Sequence, residues 1–166
     1  MNGMLQLDPK NTNMYTLKKD AEDLRTYLRR HGLIYTPSKI WFPFNDEGRA
    51  LHEAFKPVAN CIATNTDFFT TSVPCDLIIS NPPFSGRTKI FTKLMAEGKP
   101  FIMLQSITAL NNSYIRKLLL EHHENFTFIF PDHRMSFEGQ DHSPSFYSFW
   151  LCYKIPNPHT FNDINK

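Results

Sequence analysis

Asp76-Leu77-Ile78-Ile79-Ser80-Asn81-Pro82-Pro83-Phe84-Ser85 carries the strongest local structural signal in the chain. Leu77, Ile78 and Ile79 make a short apolar run, the composition of a strand buried on both faces. Two prolines then stop it, since each locks φ and removes a backbone donor. From Thr88 to Ala96 the residues Ile90, Phe91, Leu94 and Met95 fall at helical spacing, and Gly98 and Pro100 end that helix. A strand, a stiff turn and a helix in this order are the repeating unit of a parallel α/β sheet. Asn81 to Phe84 therefore lies at a strand's carboxyl end, where such sheets hold their ligands.

The same alternation extends outward on both sides. Upstream, Lys39 to Pro43 and Val58 to Ala63 read as strands. The segment Asp46 to Phe55 reads as a helix between them, with Ala50, Leu51, Ala54 and Phe55 on its inner face. Before them, Leu17, Ala21, Leu24 and Leu28 trace the stripe of an amphipathic helix that Gly32 ends. Downstream, Phe101 to Leu104 is a strand, and Asn111-Asn112-Ser113 offers N-caps for a helix from Tyr114 to His123. Two late β runs, Phe126 to Phe130 and Phe146 to Tyr153, are joined by a polar segment. The chain is thus expected to form an α/β, doubly wound and mostly parallel sheet with an antiparallel last strand. Residues 1–14 read as a loose lead-in, 15–155 as one domain, and 156–166 as a tail.

Composition narrows the classes. A chain of 166 residues with 41% hydrophobic residues builds one core. Its 18 basic and 16 acidic residues leave +2, too mild a balance to point to nucleic acid by charge alone. Cys61, Cys75 and Cys152 lack CxxC spacing, which suggests buried, reduced thiols and neither a disulfide framework nor a metal site. The opening Met1 to Asn13 has no apolar signal region. No apolar run approaches the roughly 18 residues of a membrane span, so a soluble cytoplasmic protein with no membrane partner is expected. Asp132-His133 and Asp141-His142 pair carboxylates with imidazoles, but no nucleophile completes a triad. Gly86-Arg87-Thr88-Lys89 lacks P-loop spacing.

The chemistry suggested by the central loop is specific. It offers carbonyl acceptors, the Asn81 amide and the aromatic face of Phe84, a set suited to a planar substrate with an exocyclic amine. Asn81 and the Pro82 carbonyl would accept the two N–H bonds while Phe84 stacks on the ring, which preorganises the amine nitrogen for methyl transfer.

Asn81-Pro82-Pro83-Phe84 resembles the (D/N/S)PP(Y/F) motif of S-adenosylmethionine-dependent amino-methyltransferases. The NPPF form is typical of enzymes acting on N6 of adenine, and of some acting on a glutamine side-chain amide. Asn13-Met14-Tyr15-Thr16-Leu17-Lys18 ahead of a helix resembles that family's N-terminal cofactor motif. The segment from Ile40 through Phe42, Pro43 and Asp46 to Gly48 resembles its glycine motif, and Asp67-Phe68 the pair that holds the cofactor's adenine ring. The resemblance spans about residues 14–153. It implies a Rossmann-like class I methyltransferase fold and S-adenosylmethionine as cofactor. It also implies a catalytic set of Asn81, Pro82, Pro83 and Phe84, with cofactor contacts from Tyr15, Thr16, Pro43, Asp46, Gly48, Asp67 and Phe68.

The pattern is incomplete in two places. Phe42 stands where the family has an acidic residue, and Ala63-Thr64-Asn65 where another acid grips the ribose; Asp46 or Glu47 is the candidate replacement. No target-recognition region is evident. Arg87, Lys89 and Lys93 after the loop, or Arg134 with His133 and His142 in the polar segment, are the candidates to meet DNA. A homodimer or a partner subunit is the other source of recognition. N6-adenine methylation of DNA is the expected activity. A catalytically silent domain that binds nucleic acid or a partner protein, an RNA adenine methyltransferase and a protein glutamine methyltransferase remain alternatives.

Overall fold

The computed structural model describes residues 15–34, 38–44, 49–139 and 144–156. Its strands are β1 (Lys39–Phe42), β2 (Asn60–Ala63), β3 (Leu77–Ser80), β4 (Phe101–Ser106), β5 (Phe126–Ile129) and β6 (Ser148–Tyr153), and they form one sheet in the order β2-β1-β3-β4-β6-β5. The pairs β1–β2, β1–β3 and β3–β4 are parallel. β6 runs antiparallel to both β4 and β5, as expected of the last strand. The chain moves from β1 outward to β2, then crosses back to place β3 on the other side of β1. That reversal opens a crevice between the carboxyl ends of β1 and β3, the ligand position in sheets of this kind.

Alternate residues of each strand face opposite layers. On one side α1 (Lys18–Arg30) and α2 (Ala50–Phe55) bring Ala21, Leu24, Leu28, Leu51 and Phe55 against Ile40, Phe42, Ile79, Leu104 and Trp150. On the other, α3 (Arg87–Glu97) and α4 (Ser113–Glu121) pack Phe91, Leu94, Ile115 and Leu118 on Trp41, Ile78, Phe101, Met103 and Phe149. Full burial of one such side chain stabilises the fold by roughly 1.5–3 kcal/mol. This is the doubly wound architecture that the alternation of strands and helices implies.

The helix ends follow local chemistry. After α1, Gly32 takes φ +65°, its N–H donates to the Arg29 carbonyl, and the Leu33 N–H reaches back to Leu28 at 2.8 Å; this is a Schellman closure. Asn112 caps α4, its Oδ1 accepting from the N–H groups of Tyr114 and Ile115 at 3.0 and 3.1 Å.

Three expectations need correction. The second helix does not reach back through Arg49, whose backbone is extended (φ −88°, ψ 165°) and whose guanidinium lies over the Tyr15 ring. The helix expected up to His123 stops at Glu121; His122 has left helical geometry, and a 3₁₀ turn, His123–Asn125, leads into β5. Of the three thiols only Cys152 is fully buried, Cys61 and Cys75 being half-buried. All three are free, and burial pushes Cys61 up to about 11 and Cys152 to about 12.

Candidate functional site

The loop leaving β3 is met by two segments distant in sequence. The Asn81 amide N–H donates to Thr16 Oγ1 at 3.3 Å, across 65 positions. Thr16 is buried and forms an antiparallel bridge with Phe137, while the Glu138 N–H donates to the Tyr15 carbonyl at 2.9 Å. The Arg49 guanidinium lies 3.7 Å from the Tyr15 ring centroid and 3.6 Å from a Glu138 carboxylate oxygen. Tyr15 and Thr16 are thereby strapped beside Asn81, and the hydrogen bond to Thr16 restricts rotation of the Asn81 amide.

Pro82 is buried, whereas Asn81, Pro83 and Phe84 keep part of their surface exposed. The Phe84 ring meets Phe146 edge to face, with centroids 5.7 Å apart at 81°. Gly86 then takes φ +75°, a left-handed turn that glycine adopts without strain, and α3 begins with Arg87. The Arg87 guanidinium sits 5.5 Å from the Phe84 centroid and turns toward the sheet. It donates to Gln105 Oε1 at 3.1 Å and to Ser106 Oγ at 3.0 Å, both on fully buried residues that end β4. Burial lowers its pKa from the ordinary arginine value. Lys89 is exposed, and Lys93 bridges Glu97 at 2.6 Å with its ammonium 5.5 Å from the Phe68 ring. Arg134 is exposed, donating to the Pro144 carbonyl at 3.4 Å and lying 4.5 Å from the Tyr147 ring centroid.

At the ends of β1 and β2 the arrangement is different. Phe42 is fully buried, its ring edge-on to His52 at 5.6 Å and tilted to Phe55 at 6.0 Å. Pro43 is buried beside it. Thr64 accepts from the Trp41 indole N–H at 3.0 Å, so its hydroxyl is engaged with the core. Asp67 is half-buried, and its Oδ1 accepts from the Phe69 N–H at 2.9 Å in a tight turn. Phe68 is only 4% exposed, between Phe44 at 4.7 Å, Phe69 at 5.5 Å and Trp41 at 5.8 Å. Asp46, Glu47 and Gly48 lie outside the described residues. The half-buried Asp67 carboxylate and the part-exposed rings of Phe44 and Phe69 make a donor set chemically compatible with a nucleoside. The Phe42 position supplies no carboxylate for an ammonium group.

Several contacts had no counterpart in the sequence reading. The Thr16–Phe137 bridge and the Arg87–Gln105–Ser106 cluster join segments that no short-range pattern links. Polar Gln105 and Ser106 directly after the apolar run Phe101 to Leu104 were the available signal for the latter. Trp150 is a core residue, 1% exposed. His133 places Nε2 2.7 Å from Asp20 of α1 and Nδ1 2.8 Å from Asp132. The hydrogen bond to Asp132 and that to Asp20 hold its pKa above the usual histidine value, and burial raises that of Asp20. The pair Asp141-His142 lies outside the described residues.

No protein-family model and no curated protein matches this chain. Solved structures do share its fold. The methyltransferase subunit of a type I restriction-modification system from Streptococcus thermophilus superposes with a TM-score of 0.59 at 14% identity, covering 87% of this chain and 45% of the other. PH1948 from Pyrococcus horikoshii, provisionally described as an RNA methyltransferase, gives 0.55 at 12% identity over 84% of each chain. The 23S rRNA methyltransferase ErmE gives 0.54 at 14% identity, over 84% of this chain and 69% of the other. At such identities the likeness concerns the fold, and the fold is that of the class I methyltransferases. This chain spans under half the length of the restriction-modification subunit. Among the described residues no helix is long and apolar enough to cross a membrane.

Proposed function

We propose that this protein transfers a methyl group from S-adenosylmethionine to N6 of adenine in DNA. The observation that carries the proposal is Asn81 at the carboxyl end of β3, hydrogen-bonded to Thr16 and followed by the part-exposed ring of Phe84. An adenine extruded from the stack would lie on Phe84. Base extrusion costs a few kcal/mol, and stacking on an aromatic side chain returns about 1–3 kcal/mol. Asn81 Oδ1 and the Pro82 carbonyl would accept the two N–H bonds of the exocyclic amine and turn its nitrogen toward the donor. Pro82 and Pro83 stiffen that geometry by fixing φ at two successive positions.

S-adenosylmethionine supplies an electrophilic methyl group when bound. On this reading Asp67 accepts from its adenine amine, and Phe68 backs the aromatic wall formed with Phe44 and Phe69. Tyr15, Thr16, Pro43, Asp46 and Gly48 surround its amino-acid portion. Lys89 and Arg134 meet DNA phosphates, and Arg87 joins them through the edge of its guanidinium not directed at the sheet. A second copy or a partner subunit contributes target recognition; one protein of similar fold is itself a subunit of a restriction-modification system.

A silent domain of the same fold is the competing reading, and buried Phe42 in the position of an acidic ligand favours it. Two measurements decide between them. Incubation with labelled methyl donor and adenine-containing DNA, followed by mass spectrometry of the nucleosides, is expected to yield N6-methyladenine. Calorimetric titration of S-adenosylmethionine is expected to show micromolar binding. No methylated base in DNA and no heat of binding, repeated with DNA present, would replace the enzyme with the silent domain.

A further inference from the structure

Tyr147 is the anomaly of the aromatic cluster around the candidate site. Phe146 packs inward against the core and Phe84, whereas the adjacent Tyr147 stands out of the surface, 55% exposed. Its backbone is not loose. The Ile107 N–H donates to the Tyr147 carbonyl at 2.8 Å, continuing the ladder that pairs Ser106 with Ser148. The ring is therefore held at the carboxyl edge of β4, next to the proposed target-base site, at the start of a buried strand. Burying an exposed aromatic ring is favourable, and a platform of this kind suits a planar partner.

The charges around the ring point to the chemistry of that partner. The Arg134 guanidinium lies 4.5 Å from the ring centroid, within cation–π range, and its Nη1 is tethered to the Pro144 carbonyl. Among the described residues of the same segment, Asp132 is directed toward His133 and Glu138 toward Arg49. A fixed, solvent-facing aromatic ring paired with a cation is the combination by which proteins hold a stacked base and its phosphate.

We infer that Tyr147 and Arg134 form a second nucleic-acid subsite, which stacks the base and pairs with the phosphate of the nucleotide next to the target adenine in single-stranded or locally opened DNA. The inference rests on the proposed function for the identity of the neighbouring site. A base stacks on the Tyr147 ring, and Arg134 meets the phosphate that joins it to the target nucleotide. Holding a flanking nucleotide here retains the strand while the adenine occupies the Phe84 site, which provides retention without a separate recognition region.

The test is fluorescence anisotropy with a labelled single-stranded DNA oligonucleotide carrying one adenine, at two salt concentrations. Tyr147→Ala is expected to weaken binding about tenfold, the effect of losing one stacked base. Tyr147→Phe, which keeps the ring, is expected to bind like the natural protein. Arg134→Gln is expected to lower the dependence of log affinity on log salt by about one. If Tyr147→Ala fails to fold, Tyr147→Leu preserves bulk without an aromatic face and is expected to show the same loss. Unchanged affinity in the folded Ala or Leu variant would overturn the subsite, as would no binding of the oligonucleotide by the natural protein. Binding of the RNA version alone would overturn the assignment to DNA. A Tyr147-dependent affinity in a protein that transfers no methyl would uphold the subsite and remove the enzyme. Methyl transfer together with Tyr147-independent affinity would do the reverse.

Discussion

β1 and β3 are paired neighbours in one sheet, and both end at the same crevice, yet the chain uses those two ends in opposite ways. After β3, Asn81, Pro83 and Phe84 keep part of their surface in the open, and the Asn81 amide N–H donates to Thr16. After β1, Phe42 goes wholly into the core between His52 and Phe55, and Pro43 is buried behind it. One end gives up apolar burial to present polar atoms and an aromatic face. The other end buries its aromatic ring in the core. The side chain at a strand's carboxyl end decides whether that position faces the crevice or joins the core.

Alanine at the two phenylalanines is the strongest way to break that comparison. Phe42→Ala is expected to cost about 3–5 kcal/mol of stability, the usual result of emptying a core position, measured by urea denaturation. Phe84→Ala should stay within about 1 kcal/mol of the natural protein in the same experiment, since a part-exposed ring leaves little cavity. Equal losses would erase the distinction between the two ends.

Asn81→Ala sharpens it next. Losing one preorganised acceptor is expected to reduce methyl transfer by roughly 10²–10³-fold, read as labelled methyl incorporated into DNA, with the urea midpoint unchanged. Retained activity in a folded variant would remove Asn81 from the chemistry. Asp67→Ala addresses the cofactor side with a smaller effect. A hydrogen bond to a charged group contributes about 1.5–3 kcal/mol, so calorimetry is expected to show affinity for S-adenosylmethionine weakened by one to two orders of magnitude. Unchanged affinity would place the cofactor elsewhere in the crevice.

The smallest effect is expected from the clamp that holds α1 to the 131–139 segment. His133, in contact with Asp20 and Asp132, has its pKa raised in the fold. Its contribution is therefore fully present below the unfolded histidine value, about 6.5, and is lost as pH rises through the higher folded value. The raised pKa of buried Asp20 acts in the same direction, because its ionised form is the one the fold disfavours. Lys19 and Asp23 stand near Asp20 and moderate the effect with opposite signs. Thermal melting is expected to show a shallow fall in midpoint from mildly acidic to mildly alkaline pH. His133→Asn should flatten that fall; an unaltered slope would assign it to other groups.

Much of this arrangement was legible in the residues themselves. Apolar runs at Lys39 to Pro43, Val58 to Ala63, Asp76 to Ser80, Phe126 to Phe130 and Phe146 to Tyr153 each contain a strand, and the run Phe101 to Leu104 lies within one that continues to Ser106. Burial on both faces writes itself into a continuous apolar run, and Pro or Gly marks its end. Boundaries were less legible, as at Arg49, where the backbone is still extended one residue before the helix begins at Ala50. The loop Asn81 to Phe84 stood out as a candidate site because a turn that merely reverses the chain needs no amide and aromatic side chain around two prolines.

By itself the sequence determined the order of strands and helices, the parallel sheet with its antiparallel last strand, and the place of Asn81-Pro82-Pro83-Phe84 at a carboxyl end. These follow from periodicity and turn chemistry, which act over a few residues. Only the tertiary structure decided that Thr16 holds Asn81 from 65 positions away and that Arg87 turns toward Gln105 and Ser106. It alone decided as well that Phe42 belongs to the core and that Tyr147 faces solvent beside Arg134. A hydrogen bond or a stacked cation depends on where two side chains meet in space, and no spacing along the chain encodes that meeting.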